Sequence, residues 1–507
     1  MIRIFILLVS LAFSSSALAQ YDYFNLIEGD LNDNEEELAT NVEFISTSYV
    51  IWGAGTNSDQ QQLFVFIRSY DLSGSLLIEN VINVSNEYIL AGITNSFKWN
   101  PYNEKFVFIH GVVEDAETKG YLIEFDQNLD TTFTKRYSHY SPYTYPLVFE
   151  IMQDGYIVLG EHGGINNSNG TFIMKLDFDG NIIWSEILQE EIYQNIYRNW
   201  NIIQQNNDFL IFGGGNTPEN NFNPFGLITK ISNIGITQST TTILDEDALR
   251  SGYLNAVKLE NGEILVSQPI SYELLDPNGS QDAFWNKIRL FKFDPETEEI
   301  YAQQDYFSNY ELKQGRVFDM EATADGGAII LGRSYAGFYS YYSWFMKVDS
   351  EGNQEWYQEY TYETCDDCRN MLYDIELAPD GGYVAAGSFA NWSIDLRQAT
   401  WLLKIDECGD VEWQGCNPLS VNEVEKKLFS VYPNPSVGRL FIDQSSANFS
   451  SRYEVFDISG KLVAQNNNLN QQSKIEINLT LPNGLYLLKI ETPQGEFETQ
   501  LIEIIGS

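Results

Sequence analysis

Short apolar runs separated by turn residues form the dominant pattern of this 507-residue chain. The runs are rich in Ile, Val, Phe, Tyr and Thr, and Gly, Asn or Asp lies between them, which is the pattern of β-strands joined by tight turns. Typical runs are residues 156–160, 209–213, 328–332 and 383–387. No window keeps a helical period over the roughly 11 residues that an amphipathic helix needs. The pattern therefore predicts an all-β protein.

A motif of the form Lys/Arg-x-Asp-x-x-Gly-x-x-x-Trp recurs among these runs. Its clearest copies span residues 175–184, 347–356 and 404–413. Weaker copies keep the turn position of the motif, and the positions together are Asp71, Asp126, Asp177, Ser232, Asp294, Asp349 and Asp406. Their spacing of roughly 55 residues is typical of a repeat array and not of a single enzyme-type core.

Each repeat divides into four short strands, with the Asp of the motif in the turn after the third strand. Four strands per repeat make the blade of a β-propeller, and the seven turn positions predict a seven-bladed β-propeller. Asp suits this turn because its carboxylate accepts backbone N–H groups. The Trp seven residues later is expected to cover the junction between neighbouring blades, where a large ring buries considerable area.

The first 19 residues have the features of a secretory signal peptide. Arg3 supplies the basic start, residues 4–13 are apolar except for Ser10, and Ala17 and Ala19 place small residues before the expected cleavage. No later segment has the ~20 apolar residues of a membrane-spanning helix. We therefore expect residues 1–19 to be removed and the mature protein to be exported.

Residues 20–418 form the predicted propeller. Residues 21–27 resemble the Trp-bearing fourth strands of the repeats. We expect this segment to pair beside the strand that carries Trp413 and so to help close the ring, either replacing or extending a strand of the last blade.

The formal net charge of −42 bears on partners. Lys and Arg form no cluster, which argues against nucleic acid and anionic membranes as partners because both need concentrated positive charge. The acidity favours solubility outside the cell. Calcium is the alternative explanation: Asp30, Asn32 and Asn34 place oxygen ligands at alternate positions, but Asn41 stands where a calcium loop has its bidentate Glu. No other cofactor is predicted.

Four cysteines lie late in the chain, at Cys365, Cys368, Cys408 and Cys416. An even, clustered set in an exported protein predicts two disulfides. Cys365–Cys368 and Cys408–Cys416 are favoured because short loops are easy to close. A redox pair or half a zinc site is the alternative for the first pair, but two intervening aspartates raise a thiol pKa and no histidine lies near in sequence.

No catalytic residue is predicted, since the chain has no nucleophile elbow, zinc-protease helix or phosphate-binding loop. Its three histidines show no ligand spacing, and His110 is expected to pack within a strand. An aromatic segment between two strands of one blade is the candidate ligand site, because exposed rings stack on sugars or anchor proteins. Its residues are Tyr335, Phe338, Tyr339, Tyr341, Tyr342 and Trp344. Packing within the blade is the alternative.

From about residue 418 the repeat stops and a separate unit with nearly balanced charge follows. Residues 427–507 carry a distinctive set of residues at fixed order and spacing: Tyr432, Pro433, Asn434, Pro435, Gly438, Gly460, Lys461, Gly484 and Tyr486. Three alternating strand pairs with Gly turns predict a small C-terminal β-sandwich.

This tail resembles the C-terminal sorting domain of the type IX (Por) secretion system of certain Gram-negative bacteria. The resemblance implies recognition by the outer-membrane translocon, followed by release or attachment at the cell surface. The chain ends in Gly506 and Ser507, where such domains commonly end on a basic residue. The propeller resembles the repeat regions found ahead of this domain, and its motif is similar to the tryptophan-docking motif of quinoprotein propellers, although no quinone pocket is recognisable.

Three functions are consistent with this organisation. The favoured one is a secreted or cell-surface binding protein that uses the propeller as a scaffold for a glycan or protein ligand. The alternative is a secreted hydrolase that acts on glycan or peptide at the propeller axis, where acids from distant blades would meet. The third is a structural component of a surface layer.

Overall fold

The structure is a computed structural model, and it separates into two compact units, Met1–Cys416 and Asn417–Ser507. The residues that it describes are 24–28, 35–57, 62–84, 88–89, 95–114, 117–140, 143–163, 169–188, 201–217, 220–244, 250–271, 287–307, 316–335, 340–364, 367–392, 396–411, 430–432, 436, 438–443, 452–457, 461–466, 474–491 and 497–505.

The strands of the first unit follow one another along the chain with short turns between them. They are β1 (Phe24–Glu28), β2 (Glu35–Ile45), β3 (Ser48–Asn57), β4 (Gln62–Asp71), β5 (Leu76–Val84), β6 (Tyr88–Ile89), β7 (Phe97–Asn100), β8 (Lys105–Glu114), β9 (Glu117–Phe125), β10 (Thr131–Tyr137), β11 (Tyr143–Met152), β12 (Gly155–Gly163), β13 (Asn169–Leu176), β14 (Ile182–Leu188), β15 (Asn201–Gln205), β16 (Asp208–Thr217), β17 (Asn220–Ile231), β18 (Thr237–Ile243), β19 (Arg250–Ser251), β20 (Asn255–Lys258), β21 (Ile264–Ser271), β22 (Lys287–Phe293), β23 (Ile300–Tyr306), β24 (Arg316–Ala322), β25 (Ala328–Tyr335), β26 (Tyr341–Val348), β27 (Gln354–Tyr360), β28 (Cys368–Leu377), β29 (Tyr383–Asn391) and β30 (Leu396–Ile405).

Strand pairing groups the described strands of this unit into seven antiparallel sets of four. In chain order the sets are β2–β5, β7–β10, β11–β14, β15–β18, β20–β23, β24–β27, and β28–β30 with β1. The two-residue strands β6 and β19 extend the second and fifth sets. Single parallel bridges, Tyr143–Thr118 and Tyr341–Arg369, link neighbouring sets. This is the strand arrangement of a β-propeller.

The N-terminal strand β1 completes the last set. It pairs directly with β30, from Phe24 opposite Lys404 to Glu28 opposite Thr400. The expected place of this segment beside the strand carrying Trp413 stays a prediction. The hydrogen-bonding edge of β30 is already occupied by β1, and Trp413 itself lies outside the described residues.

The Asp turns have the geometry that the repeat predicted. Asp349 Oδ1 accepts the N–H groups of Glu351 and Asn353 at 2.9 and 2.8 Å, and Asp406 Oδ1 accepts those of Cys408 and Asp410 at 2.9 and 2.8 Å. The Gly three residues after each Asp has a positive φ, 85° at Gly352 and 89° at Gly409. Only Gly adopts this conformation without a Cβ clash, which explains its place in the motif.

The motif also fixes the position of one side chain on the fourth strand. The residue seven after the turn position pairs with the residue two before it: Ser69–Ile78, Glu124–Phe133, Lys175–Trp184, Lys230–Ser239, Lys292–Tyr301 and Lys347–Trp356. In the last set, Phe24 takes this place opposite Lys404. The N-terminal segment thus supplies the aromatic residue that four of the other six sets carry within their own repeat.

The fourth strand of each set lies against the turn of the next set. Trp184 Nε1 donates to Asn233 O and Trp356 Nε1 to Glu407 O, both at 3.2 Å. A Cβ on Gly74 would lie 2.6 Å from Leu26 Cδ1 and 2.9 Å from Phe24 Cδ1, so β1 packs on the turn of the first set. The other junctions carry hydrogen bonds from Asn80 to Leu129 O, Lys135 to Asp179 O, Thr241 to Glu298 and Gln304 to Asn353.

The first and last sets are neighbours, so the array closes on itself. Phe24, Val42 and Tyr49 share one core cluster with Ala386 and Leu402 of the last set. The core clusters between other sets are also built from two consecutive sets: one combines side chains of the third and fourth sets, and another those of the fifth and sixth. The core is therefore a series of inter-set layers arranged around an axis.

The second unit is a two-sheet β-sandwich. Its strands are β31 (Ser430–Tyr432), β32 (Arg439–Asp443), β33 (Arg452–Asp457), β34 (Leu462–Asn466), β35 (Lys474–Asn478), β36 (Gly484–Glu491) and β37 (Phe497–Ile504). One sheet has the order β31-β32-β35 and the other β34-β33-β36-β37. Leu440, Ile442, Val455, Leu488 and Ile502 fill the space between the sheets.

In the part of the chain that the structure describes, no helix has the length and apolarity to cross a membrane.

Replacing Trp356 by Ala is expected to weaken one junction of the ring. The change removes a half-buried ring and its hydrogen bond to Glu407 O, so we expect the free energy of unfolding to fall by about 2 kcal/mol, below the ~3–5 kcal/mol typical of a fully buried Trp. Chemical denaturation followed by tryptophan fluorescence and circular dichroism measures it.

Ile183→Ala is the control, since this apolar side chain also lies on an outer strand, β14, but is 53% exposed. An equal loss of stability in the two variants would contradict the structural role of the Trp356 junction.

Candidate functional site

The first strand of each set lies innermost, and these strands contact one another around the axis. An Asn or Asp on one inner strand bonds the backbone of the next. Ala256 N donates to Asn201 Oδ1 at 3.0 Å, Ile375 N to Asp319 Oδ2 at 3.2 Å and Val42 N to Asp374 Oδ2 at 2.8 Å. Asn255 Nδ2 donates to Val317 O at 3.1 Å.

Two residues after these four junction residues lie Ile203, Val257, Glu321 and Glu376. Glu43, Lys98 and Glu150 hold the corresponding places on the inner strands of the other three sets, and we call these seven residues, one per set, the axial positions. Five consecutive axial residues, from Lys98 to Glu321, line a cavity of about 130 Å³. Asn95, Asn201, Lys258 and Asp319 add polar groups to its wall. The axial positions form a polar arc of four Glu and Lys98, and an apolar arc of Ile203 and Val257.

Lys98 is the positive centre of the polar arc. Its Nζ lies 2.7 Å from Glu150 Oε2. Burial lowers the pKa of Lys98, but the negative charges of Glu150, Glu43 and Glu321 outweigh burial and raise it. The ammonium group therefore stays charged and partly compensates the negative charge of the surrounding carboxylates.

Three of the axial carboxyl groups, those of Glu43, Glu321 and Glu376, are less acidic than usual. Burial, and then the charge of Glu376, raise the pKa of Glu43 to about 8. Burial raises the pKa of Glu376 to about 7, with Asp319 adding to the rise. Burial together with Asp319 and Glu376 raises the pKa of Glu321 well above its usual range. Several acids close together cannot all ionise, so part of the arc stays protonated near neutral pH.

Asp319 and Asp374 form a second acidic pair just outside the axial positions. Burial raises the pKa of both groups. The charge of Asp319 adds to the rise at Asp374, because two neighbouring carboxylates repel each other. Each also accepts a backbone N–H of the next inner strand, so this pair has a structural role in joining the sets.

The site can act on a ligand in two chemical ways. Protonated carboxyl groups donate hydrogen bonds and ionised ones accept them, which suits a ligand rich in hydroxyl or amino groups. A carboxyl group that titrates near neutral pH can also transfer a proton as a general acid. Among the described residues, no group of three or more His, Cys, Asp or Glu could hold a metal ion.

The aromatic segment predicted as a ligand site is only partly at the surface. Trp344 is 1% exposed and packs against Phe307 and Tyr357, with ring centroids 5.4 and 5.9 Å away. It is a core residue of β26 and is not accessible to a ligand. Tyr341 and Tyr342 are half-buried at the start of β26. Phe338, Tyr339 and the side chain of Tyr335 lie outside the described residues.

Two of the three histidines, His139 and His162, pack against the same tyrosine ring. His110 is buried beside Tyr145, at 4.9 Å between ring centroids. His162 packs on Tyr140 at 5.1 Å, and His139 lies 4.5 Å from the same ring. The packing role expected for His110 is confirmed.

Other predicted positions fall partly outside the described residues. The calcium candidates Asp30, Asn32 and Asn34 do so entirely, and calcium there stays a prediction. Of the cysteines, Cys368 lies buried at the start of β28 and Cys408 in the turn after β30, and neither is a free thiol. Cys365 and Cys416 are outside the described residues.

The axial acids were missed in the sequence, although a signal exists. Asn41-x-Glu43, Asp319-x-Glu321 and Asp374-x-Glu376 share one pattern at the same place in three repeats. The pattern is hard to notice among 71 acidic residues. It becomes meaningful only when the repeats are aligned on their first strands instead of on the Asp turn.

In the sandwich, the described sorting-motif residues have structural roles. Gly438 has φ 94° and its N–H donates to Ser436 Oγ at 3.0 Å. Lys461 N donates to Asp457 Oδ1 at 3.0 Å, and Tyr486 OH to Pro482 O at 2.8 Å. Gly484 begins β36. The backbone of Tyr432 lies in β31, whereas Pro433, Asn434, Pro435 and Gly460 lie outside the described residues.

Several solved structures resemble the chain at low sequence identity. The β-propeller domain of the trilobed protease from Pyrococcus furiosus covers 72% of this chain and 93% of its own, with 10% identity and a TM-score of 0.41. An acylaminoacyl peptidase from Pyrococcus horikoshii covers 82% and 59%, with 9% identity and a TM-score of 0.43. The α-L-arabinanase of Penicillium chrysogenum, complexed with arabinobiose, covers 75% and 97%, with 8% identity and a TM-score of 0.38. Such similarities say nothing about substrates.

No curated protein matches the sequence. Residues 430–504 match the family of secretion system C-terminal sorting domains, which confirms the resemblance of the tail. This match covers the sandwich from β31 to β37. The chain is thus a β-propeller protein that carries a type IX secretion sorting domain, and it is extracellular or attached to the cell surface.

Proposed function

We propose that the protein is a secreted binding protein whose seven strand sets are the blades of one closed ring, and that its axis holds a small, hydroxyl-rich or amino-bearing ligand such as a single sugar unit. One observation carries the proposal: five consecutive inner strands place Lys98, Glu150, Ile203, Val257 and Glu321 around a cavity of about 130 Å³. Ligand sites combine a few convergent polar groups with apolar walls in this way.

The two arcs suit the two faces of a sugar. Ile203 and Val257 contact the C–H face of a ring, and Glu150, Lys98 and Glu321 bond its hydroxyl groups. The cavity is smaller than the ~300–1,000 Å³ of pockets for drug-sized ligands. One ring, or the end of a longer chain, is therefore the size of ligand that we propose.

A hydrolase acting on glycan or peptide at the same place is the second candidate. The pKa of about 7 at Glu376 and about 8 at Glu43 favour it, because a general acid works best when its pKa lies near the working pH. Catalysis needs a second carboxylate to act as base or nucleophile, and the polar arc contains several.

Glu321→Gln tests the axial site, because it removes one carboxyl group of the cavity wall with little change in volume. We expect ligand binding by the purified secreted chain to weaken about tenfold or more, since leaving a buried hydrogen-bonding group without its partner costs roughly 1–3 kcal/mol. Isothermal titration calorimetry against the best ligand from a panel of mono- and disaccharides, amino sugars and short peptides measures it.

Glu186→Gln, an exposed acid on the outer strand β14, is the matched control and should bind as the unaltered chain does. Product analysis on the same panel separates the two candidates, because turnover lost in Glu321→Gln favours the hydrolase. Unchanged binding and turnover in Glu321→Gln would contradict both axial functions.

Two disulfides, Cys365–Cys368 and Cys408–Cys416, are part of the proposal for an exported protein. Support comes from Cys368 and Cys408, neither of which is a free thiol. Non-reducing proteolysis followed by mass spectrometry is expected to yield these two linkages. A peptide joining Cys368 to Cys408 would show that the pairing is wrong.

The axial acids predict how stability changes with pH. Glu43 has a pKa of about 8 in the fold against an ordinary value of 4.5, so the folded chain binds protons more tightly than the unfolded chain. Glu321, Glu376 and Asp374 shift in the same direction. Folding then takes up protons in this range, and the free energy of unfolding falls as pH rises from about 4.5 to about 8.

Urea denaturation at a series of pH values measures this slope. Glu43→Gln is expected to flatten the profile, whereas Glu186→Gln is expected to leave it unchanged. The turn aspartates such as Asp177 have lowered pKa values. They change the free energy of unfolding only below about pH 3.8, which is outside this range. Stability that rises from pH 5 to pH 8 would contradict the burial of the axial acids.

A further inference from the structure

Three arginines and three aromatic rings alternate in a continuous stack across the sixth and seventh sets. Arg316 lies over Phe318 at 5.1 Å, Arg333 lies 5.6 Å from Phe318 and 4.7 Å from Tyr341, and Arg369 lies 5.4 Å from Tyr341 and 5.3 Å from Trp392. We call these six residues the arginine ladder. Arg316 and Phe318 lie on β24 and Arg333 on β25. Tyr341 and Arg369 lie at the starts of β26 and β28, and Trp392 directly follows β29.

The ladder concentrates positive charge in a strongly acidic protein. The chain has 29 basic and 71 acidic side chains, yet three arginines meet here. Arg316 and Arg333 are direct cross-strand partners, a placement of like charges that destabilises a sheet. Burial raises the pKa of Tyr373, and among its charged neighbours Arg333, Arg316 and Arg369 all oppose the rise. The arginines therefore create a local positive field.

The ladder ends at the surface. Trp392 is 49% exposed and Tyr341 and Arg369 are half-buried, whereas Phe318 is buried beneath them. Arg369 Nε is buried and makes no hydrogen bond within the described part of the chain. A buried donor of this kind is unfavourable until an acceptor reaches it. An exposed indole next to a guanidinium offers both a flat apolar face and charged donors.

We propose that the arginine ladder binds an acidic glycan, with one sugar ring stacked on Trp392 and the carboxylate or sulfate group of that sugar paired with Arg369. Stacking uses the C–H face of the ring, and the planar guanidinium matches the two oxygens of the acid group. This site is separate from the axial cavity, which none of the six ladder residues lines. It keeps Tyr341 of the aromatic segment as a ligand-site residue and excludes Trp344.

A short oligosaccharide is the right probe, because the remaining surface of a chain with net charge −42 repels a long polyanion. At about 0.15 M salt the Debye length is ~8 Å, so a small ligand at the ladder is screened from distant carboxylates. Calorimetry with the full secreted chain is expected to show binding of trigalacturonate or a sulfated trisaccharide, and none of neutral maltotriose.

Trp392→Ala and Arg369→Ala are each expected to weaken this binding about tenfold, which corresponds to about 1.4 kcal/mol. Arg369→Lys keeps the positive charge but loses the planar guanidinium group. Its affinity for the acidic trisaccharide should lie between that of the Ala variants and that of the unaltered chain. Arg289→Ala on β22, whose guanidinium pairs with Asp305 in another set, is the matched control and should bind normally.

Thermal unfolding of each variant shows whether it remains folded. Trp392→Ala is expected to fold, because its ring is half exposed, so this variant tests binding even if Arg369→Ala is unstable. Glu321→Gln should bind the acidic trisaccharide normally, so failure here is distinct from failure of the axial site. Full binding by both Trp392→Ala and Arg369→Ala would overturn the proposal. Equal binding of maltotriose, or of a hexaglutamate peptide, would overturn the choice of an acidic glycan.

Discussion

The seating of each outer strand on the Asp turn of the next set is the contact on which the rest of the first unit depends. A four-stranded sheet leaves an outer edge and a large face uncovered, and both must be covered if the sheet is to stay folded. Trp184 and Trp356 cover the following turn with their rings and donate an indole N–H to its backbone. The Gly of the turn serves the same contact, because a Cβ on Gly235 would lie 2.7 Å from Trp184.

The same seating explains the chemistry at the axis. When every set lies against the next, the inner strands are brought close enough for Asp319 and Asp374 to bond the neighbouring backbone. The side chain two residues further on then lies near the axis. Four Glu residues at these positions would repel one another if all were ionised, and burial relieves this by keeping part of them protonated. The polar arc and its raised pKa values are thus consequences of closure.

The repeat predicted what depends on local geometry, and it missed what depends on closure. The Asp turns, the four-stranded sets and the junction role of the Trp follow from short-range spacing, and they were predictable. The pairing of β1 with β30 was not predicted from the sequence, because nothing local reveals that this edge is taken by a segment from the opposite end of the propeller sequence. Trp344 was placed at the surface because neighbouring rings suggested an exposed patch, although alternate residues of a strand face opposite sides.

The pairing of β1 also means that the last strand set needs no strand from the residues that lead to the sorting domain. If the strand carrying Trp413 were the fourth strand of the last set, cleavage ahead of the sorting domain would threaten the outer edge of that set. Because β1 pairs with β30 from Phe24 to Glu28, the last set is complete without any residue after Asp406. The hydrogen-bonded sets of the first unit therefore end where the Asp406 turn ends. Removal of the sorting domain at any bond beyond residue 411 leaves every described strand of the first unit paired as before.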